Sequence, residues 1–171
     1  VQTCALPILF IATLFTISVG NSLTMQSYLG NAIGGGWKFR AQKVMMASFS
    51  INFCLSTMNI CFMFFGSEFL ANLLTSDPDT KEMFKTILGI YSVYHIGDTF
   101  ADHMACVLRS LGWEKYVLLI SICGYLVIGI SLQWILGFTL DFGGPGMWVA
   151  TGLQVLFLFC SFLIKVVGLD W

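Results

Sequence analysis

The sequence predicts an all-α, polytopic membrane bundle, on three observations. Of its 171 residues, 57% are hydrophobic and only 10% charged, with a mean hydropathy of +0.86, a composition foreign to soluble globular domains of this size. The apolar residues gather into five runs, each near the ~20 residues that cross a ~30 Å hydrocarbon layer. No segment alternates at the two-residue strand period over a useful length, which excludes a barrel. The bilayer is therefore the first partner. A net charge of −1 without a dense basic stretch argues against nucleic acid.

Residues Val1–Ile8, VQTCALPI, read as the translation of a common sequencing-adapter oligonucleotide and are set aside as a scar. The first span covers 9–30 and grows more polar through Asn21, Ser22, Thr24, Gln26 and Ser27, as suits a helix packed against other helices. Gly34, Gly35 and Gly36 end it, and Trp37, Lys38, Arg40 and Lys43 mark an interface. The second span, 44–65, is rich in Met and Phe on lipid-facing positions and interrupted by Asn52, Ser56, Thr57 and Asn59. The following GSEFLANLLTSDPDTKEMFK predicts a short interfacial amphipathic helix, a stop at Ser76-Asp77-Pro78, and a new helix capped by Asp79.

The third span, 84–108, holds the densest chemistry. Tyr91, Tyr94, His95, Asp98, Asp102 and His103 fall within it. A carboxylate at bilayer depth costs from ~3 to above ~10 kcal/mol, so such residues line a pathway or cavity. Asp98 and Asp102 are four apart and share a helix face, with His95 one turn earlier on that side. Arg109, placed at a membrane surface, would leave Asp98 roughly 16 Å deeper, near mid-bilayer. The candidate cation- or substrate-binding residues are Asp98, Asp102, His95, Tyr94 and Tyr91, joined by Asn21 and Gln26 from the first span. The fourth and fifth spans are 116–138 and 147–167, with Trp113, Tyr116, Trp134, Trp148 and Trp171 forming an aromatic belt. The scattered cysteines read as buried hydrophobes rather than a disulfide framework or zinc site.

Six of the eight basic residues (Lys38, Arg40, Lys43, Arg109, Lys115, Lys165) lie on one side of the predicted membrane. By the positive-inside rule that side is cytoplasmic, so the chain starts outside, crosses five times and ends inside.

Four landmarks carry a resemblance. Gly30-Asn31-Ala32-Ile33-Gly34-Gly35-Gly36 with Arg40-Ala41, Leu108-Arg109-Ser110-Leu111-Gly112 with an acid eleven residues earlier, Gly144-Pro145-Gly146-Met147-Trp148-Val149-Ala150-Thr151-Gly152, and Leu169-Asp170-Trp171 occur in that order. Together they resemble the "RVGNxLGAG…A", "LRGxG", "GxxGLWxG" and "NW" segments of the multidrug and toxic compound extrusion (MATE) antiporters, in their eukaryote-type form. The resemblance implies spans eight to twelve of a twelve-span transporter, a partial C-terminal lobe whose N-terminal lobe and seventh span are missing partners. It implies cation-coupled export of organic cations or other xenobiotics by alternating access, with H+ or Na+ as coupling ion, no other cofactor, no metal and no catalytic residue. Asp98 then takes the place of the family's tenth-span acid. Tyr28 replaces the family's Arg, Ser110 its Gly, and Ile130-Ser131 stands where an eleventh-span proline is usual; these departures touch packing and gating. Two other functions remain open on the residues: a lipid-linked oligosaccharide flippase of related architecture, which would need basic residues for pyrophosphate, and an intramembrane metal-dependent enzyme built on His95, Asp98, Asp102 and His103.

Overall fold

The computed structural model describes residues 5–74 and 76–169, with side chains described for 8–73 and 76–169. Five helical rods account for nearly all of them: α1 (Ala5–Gly34), α2 (Lys38–Leu74), α3 (Pro78–Ser110), α4 (Glu114–Thr139) and α5 (Gly143–Val167). Four of these, all but α3, are long and apolar enough to cross a membrane. That makes the chain an integral membrane protein, and α3 falls short because it carries the polar cluster. Part of the adapter-like segment (1–4) and the terminal Asp170-Trp171 lie outside the described residues.

The two turns on the lysine- and arginine-rich side are built alike. After α1, Gly36 takes φ +73°, its N–H bonds Ile33 O at 3.0 Å, and Trp37 N–H bonds Ala32 O at 2.9 Å. After α3, Gly112 takes φ +80°, its N–H bonds Arg109 O at 3.0 Å, and Trp113 N–H bonds Leu108 O at 2.9 Å. This paired 5→2 and 6→1 pattern is a Schellman cap, and its left-handed residue favours glycine. The Gly-Trp pair therefore both stops each helix and sets an aromatic ring at the interface.

The connection after α2 departs from expectation. No separate amphipathic helix forms; α2 runs unbroken to Leu74, because nothing between Gly66 and Ser76 breaks a helix. The cap of α3 is Asp77, not Asp79. Pro78 at the first helical position cannot donate, and Asp77 accepts from both the backbone N–H and the hydroxyl of Thr80. Those two donors hold the Asp77 carboxyl below its ordinary value.

α4 is one rod in alternating registers: α-helical at Glu114–Ile122 and Ile130–Trp134, π-helical at Cys123–Gly129 and Ile135–Thr139. Against α5 it makes glycine contacts. A Cβ on Gly124 would sit 2.5 Å from Leu158 Cδ2, and one on Gly129 would sit 2.2 Å from Gln154 Oε1.

α3 is the hub, packed along its length on α1, α2 and α5, while α4 leans mainly on α5. One apolar cluster joins Ile11, Leu14, Met63, Phe84, Ile87, Leu88 and Tyr91. A second joins Met25, Leu29, Ala32, Ala41, Cys106 and Val107. The third unites α3, α4 and α5 through Ala101, Met104, Leu108, Val117, Leu158 and Phe162. Outward faces are apolar: Phe53, Met58, Phe64, Phe65, Leu118, Leu126 and Ile164 are all exposed, the finish expected of surface meeting lipid. The cysteines at 54, 61, 106, 123 and 160 are free thiols.

Candidate functional site

α3 cannot bury all its polar side chains on one stripe, and it sorts them onto two. Asp98 and Asp102 look into a cavity of about 130 Å³ between α3, α4 and α5, closed by Phe15 of α1. Its wall also includes Arg109, Ser121, Tyr125, Leu158 and Phe162. Acids four residues apart on a helix share a face, and Arg109 follows Asp102 by two turns on the same stripe.

Tyr91, two further turns outward, donates its hydroxyl to Asp98 Oδ2 at 3.2 Å. The Tyr91 ring is 3% exposed and sits at the centre of an aromatic group. Tyr94 meets it edge-on at 5.1 Å, Trp148 edge-on at 5.9 Å, and His95 at 5.1 Å. Tyr94 is pressed onto Gly152 of α5, where a Cβ would come within 2.8 Å of Tyr94 Cδ1. Gly152 is thus the position that lets this aromatic shelf approach α5.

Asp98 carries two oxygens able to accept about four hydrogen bonds, and the protein donates one to it through Tyr91. Asp102 has the Ser22 hydroxyl of α1 as a side-chain partner, while its Oδ2 is buried without one. Arg109 spends one guanidinium N–H on Cys106 Sγ at 3.5 Å. A small cavity lined by two incompletely satisfied carboxylates and one guanidinium, with the aromatic shelf behind Asp98, has spare acceptors for a cation. In a low-dielectric setting such acceptors attract positive charge far more strongly than in water.

The structure brings together Asp98, Asp102 and Tyr91 among the expected residues, with Tyr94 beside them. It does not bring the rest. His95 lies about 60° around the α3 axis from Asp98, fully buried, with its ring against Tyr91 and off the cavity wall. His103 turns to α1 and α2, where Nδ1 pairs with Ser22 Oγ at 2.9 Å and the ring meets Phe49 edge-on at 4.7 Å. Among the described residues, no group of three His, Cys, Asp or Glu side chains is placed to hold a metal ion. Asn21 donates to Ser48 O at 3.1 Å and accepts from Ser48 Oγ at 3.2 Å, a bond between helices. Gln26 contributes its backbone carbonyl to Ser110, and its side chain is not on the cavity wall.

Four residues of the site escape the sequence reading. Arg109 is expected at the membrane surface, yet it reaches the cavity wall beside the acids. Ser121 and Tyr125 are polar, four residues apart and sit inside an otherwise apolar span, which is a legible helical pair. Trp148 is expected in the interfacial belt, but packs on Tyr91.

A family model, MatE, matches residues 3–135. Among curated proteins, the chain is 24% identical over 157 residues to the human multidrug and toxin extrusion protein 1, covering 92% of the chain and 28% of that protein. It is 25% identical over 171 residues to the probable multidrug resistance protein NorM of Idiomarina loihiensis, covering 96% of the chain and 36% of the relative. It is 24% identical over 148 residues to Protein DETOXIFICATION 39 of Arabidopsis thaliana, covering 84% of the chain and 29% of the relative. The chain thus spans about a third or less of the length of these relatives. With a matched stretch running from α1 through most of α4 and the acid-bearing α3 at its centre, the chain belongs to the MatE family.

Proposed function

We propose that this chain forms part of a secondary active transporter that exports organic cations or other xenobiotics in exchange for H+ or Na+. The observation that carries the reading is the pair of carboxylates, Asp98 and Asp102, held inside a helix bundle around a cavity with one protein donor on Asp98. A buried carboxylate neutralises one cation well at a time, so a coupling ion and a cationic substrate compete for it. The aromatic shelf of Tyr91, Tyr94 and Trp148 supplies π faces beside that charge, the environment in which organic cations are held. The names of the relatives, multidrug and toxin extrusion protein 1 and NorM multidrug resistance protein, support export as the activity. Because the chain covers a fraction of their length, the transport pathway is completed by a further lobe of the same protein. Basic-residue bias supports a cytoplasmic C-terminal end.

The flippase reading asks for a basic cavity, whereas this one sets two carboxylates against one guanidinium. The test is Asp98→Asn with Asp98→Glu as its charge-conserving partner, in the complete transporter reconstituted in proteoliposomes. Asp98→Asn is expected to abolish ion-driven organic-cation export at normal expression, and Asp98→Glu to retain part of it. Undiminished export by Asp98→Asn overturns the assignment.

A further inference from the structure

The second polar stripe of α3 is buried more completely than the first. His95, Thr99 and His103 follow at four-residue spacing and all are 0% exposed. They face α1 and α2, which present Ser18, Ser22, Asn52 and Ser56, each 1% exposed or less. Some pairs are made: Ser56 with Thr99 at 2.7 Å and Ser22 with His103 Nδ1 at 2.9 Å. Others are not. Ser18 Oγ, Asn52 Nδ2 and Oδ1, both ring nitrogens of His95, and His103 Nε2 are buried with no protein partner.

These atoms lie close in the helix register. Asn52 stands on α2 between Phe49, whose ring meets His103, and Ser56, which bonds Thr99. Ser18 is one turn from Ser22, the partner of His103. Ser18 and Asn52 therefore lie near the Thr99 level of the α1–α2–α3 seam, with His103 one turn further in. His95 occupies the next level outward, where Asn59 reaches across to Leu14 O at 3.4 Å.

The chemistry of the unpartnered atoms selects the guest. Ser22 stands within hydrogen-bond reach of both Ser18 O at 3.1 Å and His103 Nδ1 at 2.9 Å, and the neutral His103 ring carries one donor and one acceptor nitrogen, with Nε2 left over for a guest. Asn52 offers both a donor and an acceptor, and a neutral His95 does the same. No cluster of three His, Cys, Asp or Glu side chains stands among the described residues to hold a metal cation, and an anion is opposed by the lone pairs. Only a molecule that both donates and accepts satisfies the set, and internal water does this for buried polar groups in proteins generally. We infer that the α1–α2–α3 seam is a binding site for internal water, bridging Ser18 and Asn52 to His103 around the Thr99 level and serving His95 one turn further out. Polar, hydrated space then lies on two adjoining faces of α3: the acid cavity against α4 and α5, and this seam against α1 and α2. The inference does not depend on what the acid cavity transports.

The test is radiolytic hydroxyl-radical labelling in heavy-oxygen water, read by mass spectrometry on the complete protein in lipid nanodiscs. Radicals formed at bound water mark adjacent side chains irrespective of exposure to bulk. After correction for intrinsic reactivity, His95 and His103 are expected to label several-fold faster than Met104 and Leu108, which are equally buried on the same helix in apolar surroundings. Asn52→Leu, which keeps volume and removes the amide, is expected to reduce His103 labelling several-fold, and Ser18→Ala to reduce it less. Labelling of both histidines no faster than Met104 and Leu108 in the unmodified protein overturns the inference, whether or not the variants fold. So does unchanged His103 labelling in a folded Asn52→Leu protein.

Discussion

Gly146→Ala is the substitution whose cost can be worked most directly from the backbone. Gly146 opens α5 where the chain doubles back from the second π-helical turn of α4, and the turn is tight. Leu140 N–H bonds Ile135 O at 2.9 Å, Phe142 N–H bonds Leu136 O at 3.2 Å, and Gly146 N–H bonds Phe142 O at 3.4 Å. A Cβ at Gly146 would stand 2.6 Å from Phe142 Cβ, 2.8 Å from Leu136 O and 3.2 Å from Leu136 C. Carbon atoms settle at ~3.5–4.0 Å, so the new methyl is roughly 1 Å too close to a neighbour. Two of the three obstructing atoms are main chain and cannot swing aside by changing rotamer.

Relief requires the α4–α5 turn to open, and overpacking of this kind costs about 1–3 kcal/mol. The better helix propensity of alanine returns at most ~1 kcal/mol. The net loss, about 1–2 kcal/mol, corresponds to a melting temperature roughly 2–8 °C lower for a chain of this size. Tryptophan fluorescence during a thermal ramp in detergent measures it. Gly30→Ala is the matched control: Gly30 lies within α1, a Cβ added there would meet nothing inside 4 Å, and the melting temperature should hold or rise. If Gly146→Ala melts at or above the parent while Gly30→Ala melts lower, the steric account of the GPGMW segment is wrong.

Three further outcomes follow from the packing. Ser56→Ala removes the bond to the fully buried Thr99 hydroxyl, which keeps its bond to Ile96 O, and should cost about 0.5–1.5 kcal/mol, whereas Thr99→Val should cost less in the Ser56→Ala background than alone in a double-mutant cycle read by the same melts. Lys165 Nζ lies 3.4 Å from the Trp113 ring centroid and 5.7 Å from that of Tyr116; Lys165→Met should destabilise by about 0.5–1 kcal/mol and Lys165→Arg by less. Asp77 has its carboxyl lowered by the Thr80 hydroxyl and N–H, so its capping is fully present above the unfolded-state value and is lost as pH falls through the lower folded value. Hydrogen exchange in the first turn of α3, corrected for its intrinsic rate, should therefore accelerate on acidification, and Asp77→Ala should remove that dependence.

What the sequence disclosed and withheld follows from the physics of each signal. Hydropathy reports the part of a helix that sits in hydrocarbon, so all five predicted spans fall inside observed helices while their ends fall short. α2 is the extreme case: its 37 residues extend to ~55 Å at 1.5 Å per residue, well beyond a ~30 Å core. The polar residues past Gly66 read as a surface helix because they leave the bilayer, not because the helix stops. Asp98, Asp102 and Tyr91 were legible together because their relation lies within one helix, where spacing fixes the face. Asn21 and Gln26 depended on the rotation of α1 against α3, which no single-helix period contains. His95 shows the limit even within one helix: three residues before Asp98, it sits about 60° around the axis, enough to set its ring on Tyr91 and keep it off the cavity wall.

The two stripes of α3 give the bundle an asymmetry with a mechanical consequence. On the seam side, α3 is joined to α1 and α2 by apolar clusters at both ends and by hydroxyl pairs between them. On the acid side, the far wall of the cavity is α4, which supplies Ser121 and Tyr125 but packs chiefly on α5. Tyr125 sits in a π-helical segment, where the backbone holds one more residue per turn and helix registers are least committed. The glycines at 124 and 129 bring α4 close to Leu158 and Gln154 without side chains that would lock the contact. Any change in the width of the acid cavity is therefore resisted least by movement of α4 with Tyr125, and most by movement of α3, whose carboxylates stay anchored to the three-helix side.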